Sequence, residues 1–210
     1  VCFDLDGNLE WARGITWDYP NVSNSLGMAS SLVVSGDTLV VPVENDSESY
    51  TLGIDAATGV NRWRLDRPKG ANWTSPVVLA PGLVALQSKT GVDAIRTADG
   101  STAWSYAEGA DTVSSSALAD GMLFVPSNGV TALRLDPADP AREPSQAWRA
   151  NQLSPATASC VAVGDAVYCI NGAGVLTAGD REDGKRRWQL RLQGSFSDRK
   201  STRLNPSHRT

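Results

Sequence analysis

Histidine is nearly absent from this chain of 210 residues, and the single copy is His208, close to the C-terminus. A serine or cysteine nucleophile therefore has no histidine base in residues 1–207, which argues against the usual hydrolytic pairings. Cysteine is also scarce: Cys2, Cys160 and Cys169 are not adjacent and form no Cys-x-x-Cys-His haem motif. Two cysteines without histidine are a poor metal set. The sequence predicts no catalytic residue and no metal site.

Long apolar runs are missing as well. No stretch approaches the roughly 18–20 apolar residues of a membrane-spanning helix, so we predict no span. Residues 198–208 resemble the translation of a common sequencing adapter at every position except Pro206. A natural basic tail is the alternative. We expect residues 198–210 to be a non-native, disordered tail, which is excluded from the fold argument.

The tail changes the charge balance. Residues 198–210 hold four of the 19 Lys and Arg residues and one of the 23 Asp and Glu residues, so residues 1–197 carry a net charge of −7. A nucleic-acid-binding surface needs clustered basic residues. We therefore predict no nucleic-acid partner.

Tryptophan, in contrast, recurs at a nearly constant spacing of 52, 41, 44 and 40 residues. The five periodic copies are Trp11, Trp63, Trp104, Trp148 and Trp188. Four of them follow a glycine by four positions: Gly7, Gly59, Gly100 and Gly184. A motif that returns at this interval indicates a repeat architecture.

Each interval contains four short strand-like segments separated by turns. The first segments begin at serines 44, 41 and 43 residues apart: Ser31, Ser75, Ser116 and Ser159. Turns rich in glycine and aspartate follow them: Gly36-Asp37, Pro81-Gly82, Asp120-Gly121 and Gly164-Asp165. In the last segment Trp188, Leu190 and Leu192 alternate with polar residues, which is typical of a half-buried strand.

Units of this size with four antiparallel strands predict propeller blades. The expected all-β fold is a β-propeller fragment with about four complete four-stranded blades and one partial blade. We place the partial blade at residues 1–20 and the complete blades at about 21–66, 67–109, 110–152 and 153–197. Two connections are unusually long, residues 44–49 and the proline-rich residues 136–144, and long loops on one rim are a common place for function. Simple drift in loop length is the alternative.

Residues 54–63, Ile-Asp-Ala-Ala-Thr-Gly-Val-Asn-Arg-Trp, resemble the repeat of PQQ-like β-propellers, where PQQ is pyrroloquinoline quinone. Residues 92–104 and 175–188 are looser copies, and residues 3–11 resemble the end of another. The resemblance implies a toroid of seven or eight blades. It also implies that the five periodic tryptophans are blade-docking residues, each of which needs a partner for its indole N–H.

The same resemblance implies a function. Many such proteins, including BamB-like subunits, are non-catalytic bacterial interaction platforms, which predicts a protein partner, a periplasmic or extracellular location and no cofactor. The alternative is a fragment of a dehydrogenase for alcohols or sugars that holds PQQ and calcium, and such enzymes carry an adjacent cysteine pair that this chain lacks. A third hypothesis is a propeller sensor domain fused to a kinase or a protease.

Two further features stay open at this stage. If Gly164-Asp165 is a two-residue hairpin turn, Cys160 and Cys169 face each other as a non-hydrogen-bonded pair, at a spacing that permits a disulfide. The hypotheses are a cross-strand disulfide and two buried thiols.

Trp17 and Trp73 lie outside the regular spacing, and they either form part of a binding surface or cover the ends of blades.

Overall fold

The computed structural model describes residues 1–22 and 27–193. The tail predicted at residues 198–210 lies outside the described residues. Almost all regular structure is β-strand, and the helix α1 (Ile15–Asp18) is a single turn. The predicted all-β class is therefore confirmed.

The strands form one two-stranded sheet and four four-stranded sheets. The two-stranded sheet, called the leading hairpin below, pairs β1 (Cys2–Phe3) with β2 (Leu9–Trp11). Blade 1 consists of β3 (Val33–Ser35), β4 (Thr38–Val43), β5 (Tyr50–Asp55) and β6 (Asn61–Asp66). Blade 2 consists of β7 (Val77–Ala80), β8 (Leu83–Ser88), β9 (Gly91–Arg96) and β10 (Thr102–Tyr106). Blade 3 consists of β11 (Ala117–Ala119), β12 (Met122–Ser127), β13 (Gly129–Arg134) and β14 (Ser145–Ala150). Blade 4 consists of β15 (Val161–Val163), β16 (Ala166–Ile170), β17 (Val175–Asp180) and β18 (Arg186–Arg191).

Every blade is an antiparallel meander in which each strand pairs with the next one along the chain. The four sheets confirm four complete blades, and the leading hairpin confirms a partial one. Each sheet lies inside one of the four ranges assigned from the sequence, whose exact boundaries stay a prediction. The first hairpin turn of blade 3 shows the local reason for the meander: Asp120 and Gly121 have φ values of 46° and 74°, the left-handed geometry that matches the twist of paired strands.

The hydrophobic core lies in layers between successive sheets rather than inside any one of them. Between blades 1 and 2, for example, Val40 and Trp63 pack against Val84, Leu86 and Ile95. Comparable layers join blade 2 to blade 3 and blade 3 to blade 4. A fourth layer places Tyr50 and Leu52 of blade 1 against Trp11 of the leading hairpin. Because each four-stranded sheet buries at least one face against a neighbouring sheet, its stability depends on its neighbours.

The first strands of successive blades lie next to one another, and a chain of serines links their starts. The backbone N–H of Ser31 donates to Ser75 Oγ at 2.9 Å, that of Ser75 to Ser115 Oγ at 3.0 Å, and that of Ser115 to Ser159 Oγ at 2.9 Å. Sequence spacing had assigned Ser116 to this series, and the structure corrects the assignment to Ser115. Ser116 is instead buried and donates to Gln87 Oε1 at 2.6 Å.

Among the described residues, no helix has the length or apolarity needed to cross a membrane. The only helix there, α1, has four residues, whereas a bilayer core requires about 20.

Candidate interaction face

The periodic tryptophans lie between blades. The indole N–H of Trp11 donates to the Ala56 carbonyl at 2.9 Å, and that of Trp63 donates to the Thr97 carbonyl at 2.8 Å. Trp148 makes the same contact with the Arg181 carbonyl at 2.8 Å. Each acceptor belongs to the turn before the fourth strand of the following blade, so each indole joins its own blade to the next one.

A glycine in the same turn makes room for each of these rings. A Cβ atom added to Gly59 would lie 2.7 Å from the Trp11 ring, and one added to Gly100 would lie 2.8 Å from the Trp63 ring. Gly184 approaches Trp148 in the same way, at 2.6 Å. Sequence reasoning assigned these glycines only to their turns. It missed that each glycine accommodates the tryptophan of the preceding blade; the only indication in the sequence was that a glycine recurs four residues before the tryptophan of its own blade.

Trp104 has a different partner, and this explains the proline-rich segment at residues 136–144. Blade 3 has no glycine turn at this point, and the Trp104 indole donates to the Pro140 carbonyl at 3.1 Å. Ala141 from the same segment packs against the core layer that contains Trp104. The insertion therefore replaces the usual turn as the docking surface.

Trp188 in β18 is the exception among the five. Its side chain is 44% exposed, whereas Trp63, Trp104 and Trp148 are each at most 8% exposed. Its ring lies 6.0 Å from that of Tyr168 within blade 4. Within residues 1–22 and 27–193 no sheet packs on this side of blade 4, so the Trp188 side chain is left exposed.

The two cysteines of blade 4 face each other. Pairing of Val161 with Tyr168 and of Val163 with Ala166 confirms the predicted register, and this register places Cys160 opposite Cys169. Both residues are at most 2% exposed, and their Sγ atoms are 2.9 Å apart. The structure describes both as free cysteines. Hydrogen bonding to Cys169, together with burial, raises the pKa of the Cys160 thiol well above its usual value.

The two long connections lie on opposite ends of the blades. Residues 44–49 join a second strand to a third, while residues 136–144 join a third strand to a fourth. Because consecutive strands run in opposite directions, these two kinds of connection emerge at opposite ends of a sheet. The two long loops therefore lie on different rims and do not form one shared surface. We call the end with residues 44–49 and the links between blades the loop face, and the other end the turn face.

A buried charge cluster supports the loop face. Arg67, in the link from blade 1 to blade 2, donates from Nε to Glu44 Oε1 at 2.9 Å and from Nη1 to Asp93. Asn72 Nδ2 donates to Glu44 Oε2 at 2.7 Å. The side chains of Arg67 and Glu44 are only 2% and 3% exposed. We call these four residues the Arg67 cluster.

The cluster fixes three separate segments relative to one another. Glu44 begins the connection between β4 and β5, Arg67 and Asn72 lie in the link between the blades, and Asp93 belongs to β9. Burial disfavours the charged guanidinium, but the charges of Glu44 and Asp93 outweigh it and raise the pKa of Arg67. The loop face between blades 1 and 2 is thus held by charged hydrogen bonds, which are stronger than neutral ones.

An open groove of about 600 Å³ lies on the loop face beside this cluster. Its lining residues are Pro20, Asn21, Val22, Ser47, Glu48 and Lys69. Glu48 is paired with Arg64 at 2.5 Å, and the Arg64 guanidinium lies over the rings of Tyr50 and Tyr19 at 4.4 and 5.0 Å. The groove is therefore lined by both polar and apolar residues, and its Glu48 is paired with an arginine that packs on two tyrosine rings.

Trp17 and Trp73 are not brought together by any contact between described residues. Trp17, in α1, is 91% exposed. Trp73 is half-buried, and its indole donates to the Gly27 carbonyl at 3.0 Å. A binding surface shared by the two tryptophans stays a prediction without support from the geometry.

Residues 1–22 and 27–193 contain no group of three or more His, Cys, Asp or Glu side chains that could surround a metal ion. Calcium requires several converging oxygen ligands. No cluster of three or more carboxylates that could supply them is present among these residues.

Two arginines on the turn face each hold a pair of aspartates. Arg62 bonds to Asp37 and Asp55, and Arg187 bonds to Asp165 and Asp180. Hydrogen bonds from Arg62 lower the pKa of Asp37 and, with help from Thr58, lower that of Asp55 to about 2. A lowered pKa in the folded state means that the stabilisation is present above the unfolded value near 3.9 and is lost as the pH falls towards 2.

We therefore expect the protein to lose stability between about pH 4 and pH 2, and we expect Arg62→Met to flatten that dependence. Urea-unfolding midpoints at pH 7, 4 and 2 measure the effect. Arg191→Met, in β18 and without contact to Asp37 or Asp55, is the control and should keep the wild-type slope. An Arg62→Met protein with an unchanged slope would contradict the assignment.

The repeated blades and their tryptophan docking define a PQQ-like β-propeller repeat protein. A family model described as "Outer membrane protein assembly factor BamB" matches residues 2–116 and 54–206. Together these spans cover nearly the whole chain, and the chain belongs to this family. A search of the curated proteins found no match.

Solved structures share the fold. The crystal structure of BamB from Moraxella catarrhalis superposes with a TM-score of 0.60 at 20% identity, over 76% of this chain and 47% of that one. The quinohemoprotein alcohol dehydrogenase ADHIIG from Pseudomonas putida HK5 gives 0.58 at 14% identity, over 81% and 35%. KlHsv2 with loop 6CD replaced by a Gly-Ser linker gives 0.54 at 9% identity, over 79% and 53%. The chain thus spans between about a third and a half of these structures.

Proposed function

We propose that this chain is part of a non-catalytic bacterial scaffold that binds a protein partner through its loop face, in the periplasm or outside the cell. Membership of the BamB family supports the extracytoplasmic scaffold role. The loop face supplies the binding surface, because its groove of about 600 Å³ is the place where three chain segments meet.

The Arg67 cluster is the observation on which this proposal rests. A buried ion pair contributes little net stability compared with apolar residues of the same size. Its effect here is to hold residues 44–49 and 67–72 in one arrangement. A surface whose loops are fixed before binding loses less conformational entropy when a partner arrives.

A dehydrogenase fragment is the second candidate, and the shared fold of the quinohemoprotein alcohol dehydrogenase is the observation in its favour. A fold at this level of identity does not determine an activity. The described residues contain no cluster of three or more Asp or Glu side chains that could hold a metal ion, so this candidate takes its calcium ligands from elsewhere in a longer protein.

Photo-crosslinking in the source cells tests the scaffold proposal on the full-length protein. Benzoylphenylalanine replaces Asn21 or Lys69 on the loop face, and Asp99 or Asp183 on the turn face serves as the matched exposed control. We expect one discrete protein adduct from the loop-face positions only, and we expect Arg67→Met to weaken it. Equal adducts from both faces, or none from the loop face, would overturn the proposal.

The enzyme alternative has its own measurement. The purified full-length protein is incubated with PQQ and calcium, and the dye-linked oxidation of alcohols and sugars is followed. The scaffold proposal expects no turnover above that of the buffer. Turnover that depends on both additions would establish the dehydrogenase instead.

A further inference from the structure

We propose that Cys160 and Cys169 are a redox modification site, at which a reversible disulfide links the residue that precedes β15 to β16 in blade 4. The proposal is independent of the partner-binding function. Cys2, in the leading hairpin, does not take part.

The backbone supports this bond. Counting outward from the turn at Gly164-Asp165, Val163 and Ala166 form a hydrogen-bonded pair, so Cys160 and Cys169 form a non-hydrogen-bonded one. The Cα atoms of such pairs approach to about 4.5 Å, which lies within the range of natural disulfides. The Sγ atoms already lie 2.9 Å apart, so bond formation needs little movement of the strands.

The two thiols differ in whether they line a cavity. Cys160 belongs to the wall of a cavity of about 460 Å³ along the first strands of blades 2, 3 and 4, together with Val77, Leu118 and Val161. Both thiols belong to the core layer between blades 3 and 4 and are at most 2% exposed, but Cys169 is not part of this cavity wall. A small oxidant therefore meets Cys160 first.

The reaction is thiol–disulfide exchange with a small external disulfide. The Cys160 thiolate attacks one sulfur of that disulfide, which releases one thiol and leaves a mixed disulfide on Cys160. The Cys169 thiolate then attacks the Cys160 sulfur and releases the second thiol. Overall, the two cysteines lose two electrons and two protons, and the external disulfide is reduced to two thiols. Because burial and hydrogen bonding raise the pKa of Cys160, the first step should be faster at alkaline pH.

The bond would close a loop of ten residues, from 160 to 169. Cross-linking of a loop of this size raises the melting temperature by about 5–10 °C in a chain of this length, through the lost freedom of the unfolded state. The first strand of blade 4, which begins next to the Ser115–Ser159 contact, would then be fixed to its neighbour.

Equilibration in redox buffers of 2-hydroxyethyl disulfide and 2-mercaptoethanol tests the site on the whole chain. The Cys2→Ser protein is equilibrated in one series from its fully reduced form and in a second series from its oxidised form, so that slow exchange is not mistaken for absence of reaction. Cleavage before aspartate separates Cys160 from Cys169 at Asp165, and only a disulfide keeps the two peptides together. We expect linked peptides and the higher melting temperature, and we expect reduction to reverse both.

Two variants serve as controls. Cys160→Val with Cys169→Val should melt at the same temperature in both buffers, and Cys169→Ala should retain a mixed disulfide on Cys160. The proposal would be overturned if both starting forms gave separate peptides in which Cys160 and Cys169 were alkylated. The pair would then be buried thiols only. Because that measurement uses the native cysteine pair, it holds even if a variant fails to fold.

Discussion

Replacing Trp63 with alanine is expected to lower the free energy of unfolding by about 3–5 kcal/mol, the usual cost of removing a buried tryptophan. Trp63 is 8% exposed and belongs to the core layer between blades 1 and 2. Its indole also satisfies the Thr97 carbonyl at 2.8 Å. The substitution removes the apolar contact and leaves a cavity beside Gly100, which has no side chain to fill it.

Trp188→Ala is the matched control, because Trp188 occupies the same position of the repeat in blade 4. Its side chain is 44% exposed, and no sheet of the described residues packs against it from a following blade. We expect its substitution to cost less than about 1 kcal/mol, as at other partly exposed sites. Urea-unfolding curves of both variants, followed by circular dichroism, give the comparison. Equal losses would show that tryptophan stabilises its own blade rather than the contact with the next one.

Replacing Arg67 with methionine is expected to cost about 3–5 kcal/mol, because it leaves the Glu44 carboxylate buried without its cation. Glu44 is 3% exposed, and only Asn72 would remain to bond its Oε2 atom. The same loss should loosen the loop face, which is why this variant also serves in the crosslinking experiment.

The double variant Arg67→Met with Glu44→Gln separates the two causes. Glutamine keeps the shape of Glu44 and removes the charge, so the double variant should be more stable than Arg67→Met alone. Arg142→Met is the control for a surface pair, since Arg142 is 73% exposed and contacts Asp136 at 3.4 Å. It should cost at most about 1 kcal/mol. If Arg67→Met costs no more than this control, the cluster has no role in holding the blades together.

The repeat was predictable because blades impose a local pattern on the sequence. Glycine and aspartate are required in the tight turns, apolar residues alternate along each strand, and Trp63 recurs as Trp104 and Trp148. These constraints act within about ten residues, and a sequence shows such constraints directly. The register that places Cys160 opposite Cys169 was predictable for the same reason, since two turn residues determine it.

The Arg67 cluster was not predictable, because its members come from three segments that share no repeat. Glu44, Arg67 and Asp93 have no counterpart at the same position of the other blades. Their contact depends on how two sheets are placed side by side, and this information is spread over the whole core layer.

The docking of tryptophan on a carbonyl and a glycine also bears on how such chains diverge in evolution. The acceptor residues Ala56, Thr97 and Arg181 are chemically unrelated, yet each offers the same main-chain oxygen. A duplicated or exchanged blade therefore keeps this hydrogen bond with its new neighbour when the tryptophan persists and the facing segment offers a main-chain oxygen, as Pro140 does for Trp104 without a glycine. The identity of the acceptor residue can then change while the contact between blades persists.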